Sequence, residues 1–242
     1  MNFELMVESL PDLLGGALLT LQLLALSLAG GMAIAAPLAV LAVVGPRILR
    51  PVIGAYVAFF RGTPLLVQIF LVYYGLAQFD IVRDSVLWPW LRQPWFCAIL
   101  TFALNTGAYT TYILRGAIRA VPAGEIEAAR ACGMSTALAY RAIVLPYAAR
   151  LALPAYTNEV VSMMKSTSLA SSITVMELTG VANTIVARTF APYELFVTAA
   201  IIYLAITYVL TSLLRWAERR SSRHLRSPTS NGALTESAHA SA

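Results

Sequence analysis

Charge is what this sequence has least of: 12% of its 242 residues are charged, about half the roughly 25% of an ordinary soluble domain. The polar tracts of a disordered chain are missing as well. Cysteine is limited to Cys97 and Cys132, in no C-x-x-C or zinc-like spacing. That excludes a disulfide scaffold and a structural zinc site, and it predicts two small, buried, apolar residues. The two histidines, His224 and His239, sit near the C-terminal end. With no H-E-x-x-H and no G-x-S-x-G, an intramembrane enzyme lacks its metal ligands or its nucleophile–base pair. No G-x-x-x-x-G-K-[ST] loop is present to cradle ATP phosphates. The pI near 9.4 does not indicate nucleic acid, because the arginines are separated by long apolar runs and form no basic stripe.

Apolar residues fill the space instead, at 59% of the chain with a mean hydropathy of +0.72. This is a membrane protein, and the fold class it predicts is all-α. A span needs about 20 apolar residues. No charge occurs between Leu13 and Pro46, too long a run for a signal-peptide core, and Glu4, Glu8 and Asp12 precede it where a signal needs basic residues. Five spans follow, at about 14–43, 53–79, 95–114, 152–175 and 195–214. They are preceded by an extracytoplasmic segment, 1–13, and followed by a disordered cytoplasmic tail, 221–242.

Arginine placement sets the direction. Arg83, Arg92 and Arg188 are the only arginines in the segments assigned to one side. Arg47, Arg50 and Arg61, the five from Arg115 to Arg150, and those of the tail lie on the other. The N-terminus is therefore expected outside and the C-terminus in the cytoplasm. Trp88, Trp90 and Trp95 fall where an outer aromatic belt belongs. Arg61, followed by Gly62-Thr63-Pro64, reads as the inner-interface anchor of a broken helix. No internal repeat is visible, and five helices are too few for a generous private pore, so pairing with another membrane subunit is expected.

The connection 115–150 far exceeds the two to eight residues usual between bundle helices, yet it carries order signals. Pro122 sits at a helix start, with Glu125 and Glu127 in the first turns, where the helix dipole favours acidic groups. Gly133 can end that helix in a left-handed turn, and Ser135 can cap a second helix that stops before Pro146.

The residues of that connection carry a resemblance. Glu127-Ala128-Ala129, three residues, Gly133, nine residues, then Ile143, Leu145 and Pro146 is similar to the EAA loop of ABC importer permeases, at the family's spacing throughout. Other stretches resemble the branch for histidine, arginine, ornithine and opines: Phe60 to Gln68, Asn105-Thr106-Gly107-Ala108-Tyr109, Arg115-Gly116-Ala117-Ile118, Leu153 to Glu159, and Lys165 to Leu169. The similarity runs from about Leu14 to Arg220. One departure is Tyr112, where many relatives carry Glu or Gln.

The resemblance implies a type I importer permease in a bacterial cytoplasmic (inner) membrane, importing amino acids, with no cofactor of its own. Its partners would be two ABC ATPase subunits that bind ATP and magnesium, a second permease or second copy of this chain, and an extracytoplasmic amino-acid-binding protein. Membrane lipid surrounds it, and nucleic acid is not among its partners. Glu127, Ala128, Ala129, Gly133, Ile143, Leu145 and Pro146 would form the coupling surface, Glu127 facing a basic group of the ATPase or merely the helix dipole.

Charges inside the fourth span suggest a substrate pathway through Asn158, Glu159, Lys165, Ser166 and Thr167. Glu159 and Lys165, six apart, sit about 120° apart around a helix and cannot pair. Glu159 suits a guanidinium, or alternatively bonds a neighbouring helix. Lys165 can snorkel. The competing readings are an ion-gradient-driven transporter, which inverted repeats would support, and an intramembrane enzyme.

Overall fold

The computed structural model describes residues 2–221; apart from its first residue, the expected tail, with both histidines, lies outside them. The described residues form helices throughout. In order these are α1 (Phe3–Glu8), α2 (Leu10–Val44), α3 (Leu49–Gly62), α4 (Leu65–Phe70), α5 (Asp80–Arg83), α6 (Trp88–Leu91), α7 (Pro94–Arg119), α8 (Ala123–Ala131), α9 (Thr136–Ala139), α10 (Leu145–Ser166), α11 (Leu178–Thr189) and α12 (Pro192–Ser221). Three of them, α2, α7 and α12, are each continuous, long and apolar enough to cross a membrane. Two bent pairs raise the number to five if each counts as one span: α3 with α4 and its continuation, bent by 104°, and α10 with its flanks and α11, bent by 46°.

The charge-free run from Leu13 makes α2 a helix of 35 residues, about 52 Å long and well beyond a hydrocarbon core of roughly 30 Å. It begins four residues before the expected span. One stripe of it is buried, running through Leu13, Ala17, Thr20, Leu23, Leu24, Ser27, Gly31, Ala35, Ala39 and Ala42, while Leu14, Leu18 and Leu26 are exposed to the bilayer. Small residues in this stripe bring α2 and α7 together. A Cβ at Gly31 would collide with the Thr106 methyl and come within 3.1 Å of the Gly107 nitrogen. Close backbone approach of this kind is the usual glue where lipid removes the hydrophobic drive between helices.

A central core joins Leu23 and Leu24 of α2, Ile69 of α4, Phe102 of α7, and Met163 and Met164 of α10. A second cluster docks α11 and α12 on the start of α2 through Leu13, Leu178 and Leu195. Helices α7 and α12 both outrun their expected spans, ending at Arg119 and Ser221 rather than near 114 and 214.

Three expectations need correction. The helix after Ser135 does not stop before Pro146. It passes through a wide π turn, Tyr140–Val144, in which the Leu145 N–H bonds the Tyr140 carbonyl. That turn places Pro146 in the first turn of α10, where its missing N–H costs nothing. Arg61 does not open a span at the inner interface: it lies in the last turn of α3, about 18 Å along the helix from Leu49. Cys132 is exposed at the end of α8, whereas Cys97 is buried as expected.

Candidate functional site

The break between α3 and α4 builds the polar centre of the molecule. Pro64 cannot continue α3, so the last carbonyls of that helix lose their intrahelical donors. Side chains replace them. The Thr63 hydroxyl donates to the Phe59 carbonyl at 2.8 Å. The Gln68 amide nitrogen lies 2.9 Å from the Phe60 carbonyl and 3.1 Å from that of Thr63. Asn105, reaching from α7, donates to the Phe60 carbonyl at 3.1 Å and to the Gln68 side-chain oxygen at 2.9 Å. Non-helical backbone at membrane depth survives only where protein or a polar cavity surrounds it, and both conditions hold here.

Beside this network lies a cavity of about 140 Å³ lined by Thr63, Leu65, Asn105, Tyr109, Glu159, Ser162, Met163 and Ser166. Glu159 is 9% exposed and sits about 21 Å along α10 from Leu145. Its charged neighbour is Arg61, whose positive field bears on the carboxylate. The Arg61 guanidinium stacks over Tyr112 at 3.9 Å from the ring centre and over Tyr109 at 5.2 Å. A carboxylate and a guanidinium therefore flank one polar cavity, an arrangement able to take a ligand with a charge of each sign.

The five residues expected along a substrate pathway separate. Glu159 and Ser166 line the cavity. Thr167 is buried and donates to the Met164 carbonyl at 2.6 Å. Asn158 and Lys165 are exposed and lie outside the cavity lining. The sequence reading assigns no role to Gln68, Asn105 or Tyr109; an amide inside an apolar run is the signal available for the first two.

A third feature with no expected role is Glu177, which is fully buried. As the N-cap of α11 it accepts from the N–H groups of Thr179 and Gly180, both at 3.0 Å. It also accepts the Tyr203 hydroxyl of α12 at 2.8 Å. Thr20 of α2 takes the Leu178 N–H at 3.1 Å. This single carboxylate thus fastens the bend before α11 to α2 and α12.

At the other end, α8 and α9 form a hairpin. Pro122 caps α8, Gly133 adopts φ +76°, and the Ser135 hydroxyl accepts the Leu138 N–H at 3.3 Å. Glu127, Ala128, Gly133, Leu145 and Pro146 are exposed, Ile143 is half-buried, and Ala129 is buried. An apolar cluster of Ala39, Ala117, Ile118, Val121, Val144 and Ala148, with Ile126 packed on it, roots the hairpin in α2, α7 and α10.

Comparisons with known proteins agree with this architecture. Residues 16–223 match the family described as binding-protein-dependent transport system inner membrane component. The chain is 50% identical to the nopaline transport system permease protein NocM of Agrobacterium fabrum, over 93% of this chain and 94% of that protein. It is 46% identical to the histidine/lysine/arginine/ornithine transport system permease protein HisM of Salmonella typhimurium, over 88% and 91%. Among solved structures, an amino acid ABC transporter crystallised with histidines superposes with a TM-score of 0.81 at 33% identity, covering 91% of this chain and 99% of that one. The inward-facing MetNI methionine transporter, at 18% identity and a TM-score of 0.72, shares the fold. The chain belongs to the binding-protein-dependent transport system inner membrane components, as a permease subunit of an ABC amino-acid importer and not itself an enzyme.

Proposed function

We propose that this chain forms part of the translocation path for a guanidinium-bearing or other basic amino acid or opine, and that Glu159 receives the cationic side chain. The observation that carries this reading is the buried Glu159 carboxylate on a polar cavity, with Arg61 as its opposite charge. The names of the relatives point the same way, since they transport nopaline, octopine, or histidine, lysine, arginine and ornithine. The chain has five spans in this reading, the N-terminus outside and the C-terminus in the cytoplasm of a bacterium. Two ATPase subunits bind ATP and magnesium and grip the α8–α9 hairpin through Glu127, Ala128, Ala129, Gly133, Ile143, Leu145 and Pro146. A second permease or a second copy of this chain closes the path, and a separate binding protein delivers the substrate.

The hairpin suits this work because it is exposed at its tip and rooted in three membrane helices, so a pull on α8 reaches α7 and α10 directly. ATP supplies the bias by binding one arrangement of the assembly better than the other. The test is uptake in proteoliposomes holding the permease, ATPase and binding protein. Glu159→Gln is expected to cut arginine uptake at least about tenfold, the effect of losing roughly 1.4 kcal/mol of a charge-assisted contact, while the complex still assembles. Loss of assembly in step with uptake would assign Glu159 to helix–helix bonding instead.

A further inference from the structure

The polar path does not end at Glu159. One turn further along both helices, Tyr112, Arg115 and Arg119 of α7 face Leu151 and Ala155 of α10 across a groove of about 540 Å³. The Arg115 guanidinium lies 5.6 Å from the centre of the Tyr112 ring that already carries Arg61 at 3.9 Å. Two cations thus share one aromatic ring, whose electron-rich face offsets part of their charge. Among the described residues the one ion pair is Arg83 with Asp80, far along the chain from this groove. Path and groove together hold a single carboxylate, Glu159, against Arg61, Arg115 and Arg119. Uncompensated positive charge at membrane depth is costly and awaits an anion.

The charge count separates substrate classes. A plain basic amino acid would neutralise Glu159 with its side chain and Arg61 with its carboxylate, leaving its ammonium to confront Arg115. A ligand whose α-nitrogen carries a carboxyalkyl group brings a second carboxylate to that place. We propose that Arg61 and Arg115, held on the Tyr112 ring, form a subsite for this second carboxylate, making the preferred substrate an N-carboxyalkyl derivative of a guanidinium amino acid. The inference rests on Glu159 as the guanidinium anchor.

The experiment is equilibrium binding of arginine and of N2-(1-carboxyethyl)arginine to the purified permease–ATPase complex, without the binding protein, so that selectivity reports on the membrane path alone. The carboxyethyl derivative is expected to bind about tenfold tighter or more, a difference of 1.4 kcal/mol. Arg115→Gln is expected to bring the two ligands level with little change for arginine, and Arg115→Lys to retain most of the preference. Equal affinities in the wild type, or an equal loss of both ligands in Arg115→Gln, overturn the subsite. Unchanged binding of both ligands in Glu159→Gln overturns instead the guanidinium anchor on which the subsite stands.

Discussion

Two buried carboxylates on one stretch of chain are put to opposite uses. Glu177 is saturated: two backbone N–H groups and the Tyr203 hydroxyl occupy it, and its partners come from α11 and α12, with Thr20 of α2 alongside. Glu159 faces a cavity. The two should therefore respond differently to substitution. Glu177→Ala strands two N–H donors and a hydroxyl in a site without water, at roughly 1–3 kcal/mol for a buried unsatisfied group. We expect a clear fall in the thermal midpoint of the detergent-solubilised protein, and a milder one for Glu177→Gln, which keeps one acceptor. Glu159→Gln is expected to leave that midpoint within about a degree, because it removes a charge facing open space rather than the capping of a helix. A thermal midpoint lowered equally by both substitutions would contradict this division. Asn105→Ala belongs with Glu177: it withdraws a donor from the Phe60 carbonyl, and a loss of about 1–3 kcal/mol is expected on the same scale.

At the scale of elements, the tightest fit is α2 on α7. Neither backbone can yield where a Gly31 Cβ would meet the Thr106 methyl and the Gly107 nitrogen. Gly31→Val should separate the helices at an overpacking cost of about 1–3 kcal/mol, read as lower yield and a lower thermal midpoint, whereas the same change at Gly54, with open space around it, should be nearly silent. The hairpin offers a different test. Nothing crowds Gly133, so its requirement is conformational: φ is +76°, a region that a β-branched residue adopts only under strain. Gly133→Val is expected to weaken co-purification with the ATPase while membrane insertion stays intact. These elements differ in how far the sequence alone displays them. The α2 helix is legible because the charge-free run is its own signal, and the hairpin because Pro122, Gly133 and Ser135 each punctuate the chain locally. Arg61 is not, since counting arginines treats it as an interface marker, whereas α3 starts at Leu49 and carries it to mid-helix depth beside Glu159. The continuation through Pro146 depends on a π turn with no simple sequence signal. Glu177 is hidden for another reason: Thr20 and Tyr203, which explain its burial, are remote in sequence and meet only in the fold.

For the whole molecule, the question is what drives the cycle. The chain has no phosphate-binding loop of its own, and its exposed hairpin roots in the same helices, α7 and α10, that line the Glu159 cavity. A motor acting on the hairpin would thus move the cavity walls as rigid rods, since α7 is unbroken from Pro94 to Arg119. A gradient-driven transporter would need no such handle. The two mechanisms part in sealed vesicles containing the full assembly. With ATP supplied on the ATPase side, uptake should persist when a proton ionophore collapses the gradient, and should vanish when ATP is withheld or the ATPase subunits are omitted. Collapse of uptake by the ionophore with ATP present would transfer the driving force to an ion gradient. Cross-linking from Cys132, exposed beside Gly133, supplies the structural counterpart. Its thiol should capture the ATPase in the intact complex, and the yield should change between the nucleotide-free and ATP-bound states if the hairpin is the moving handle.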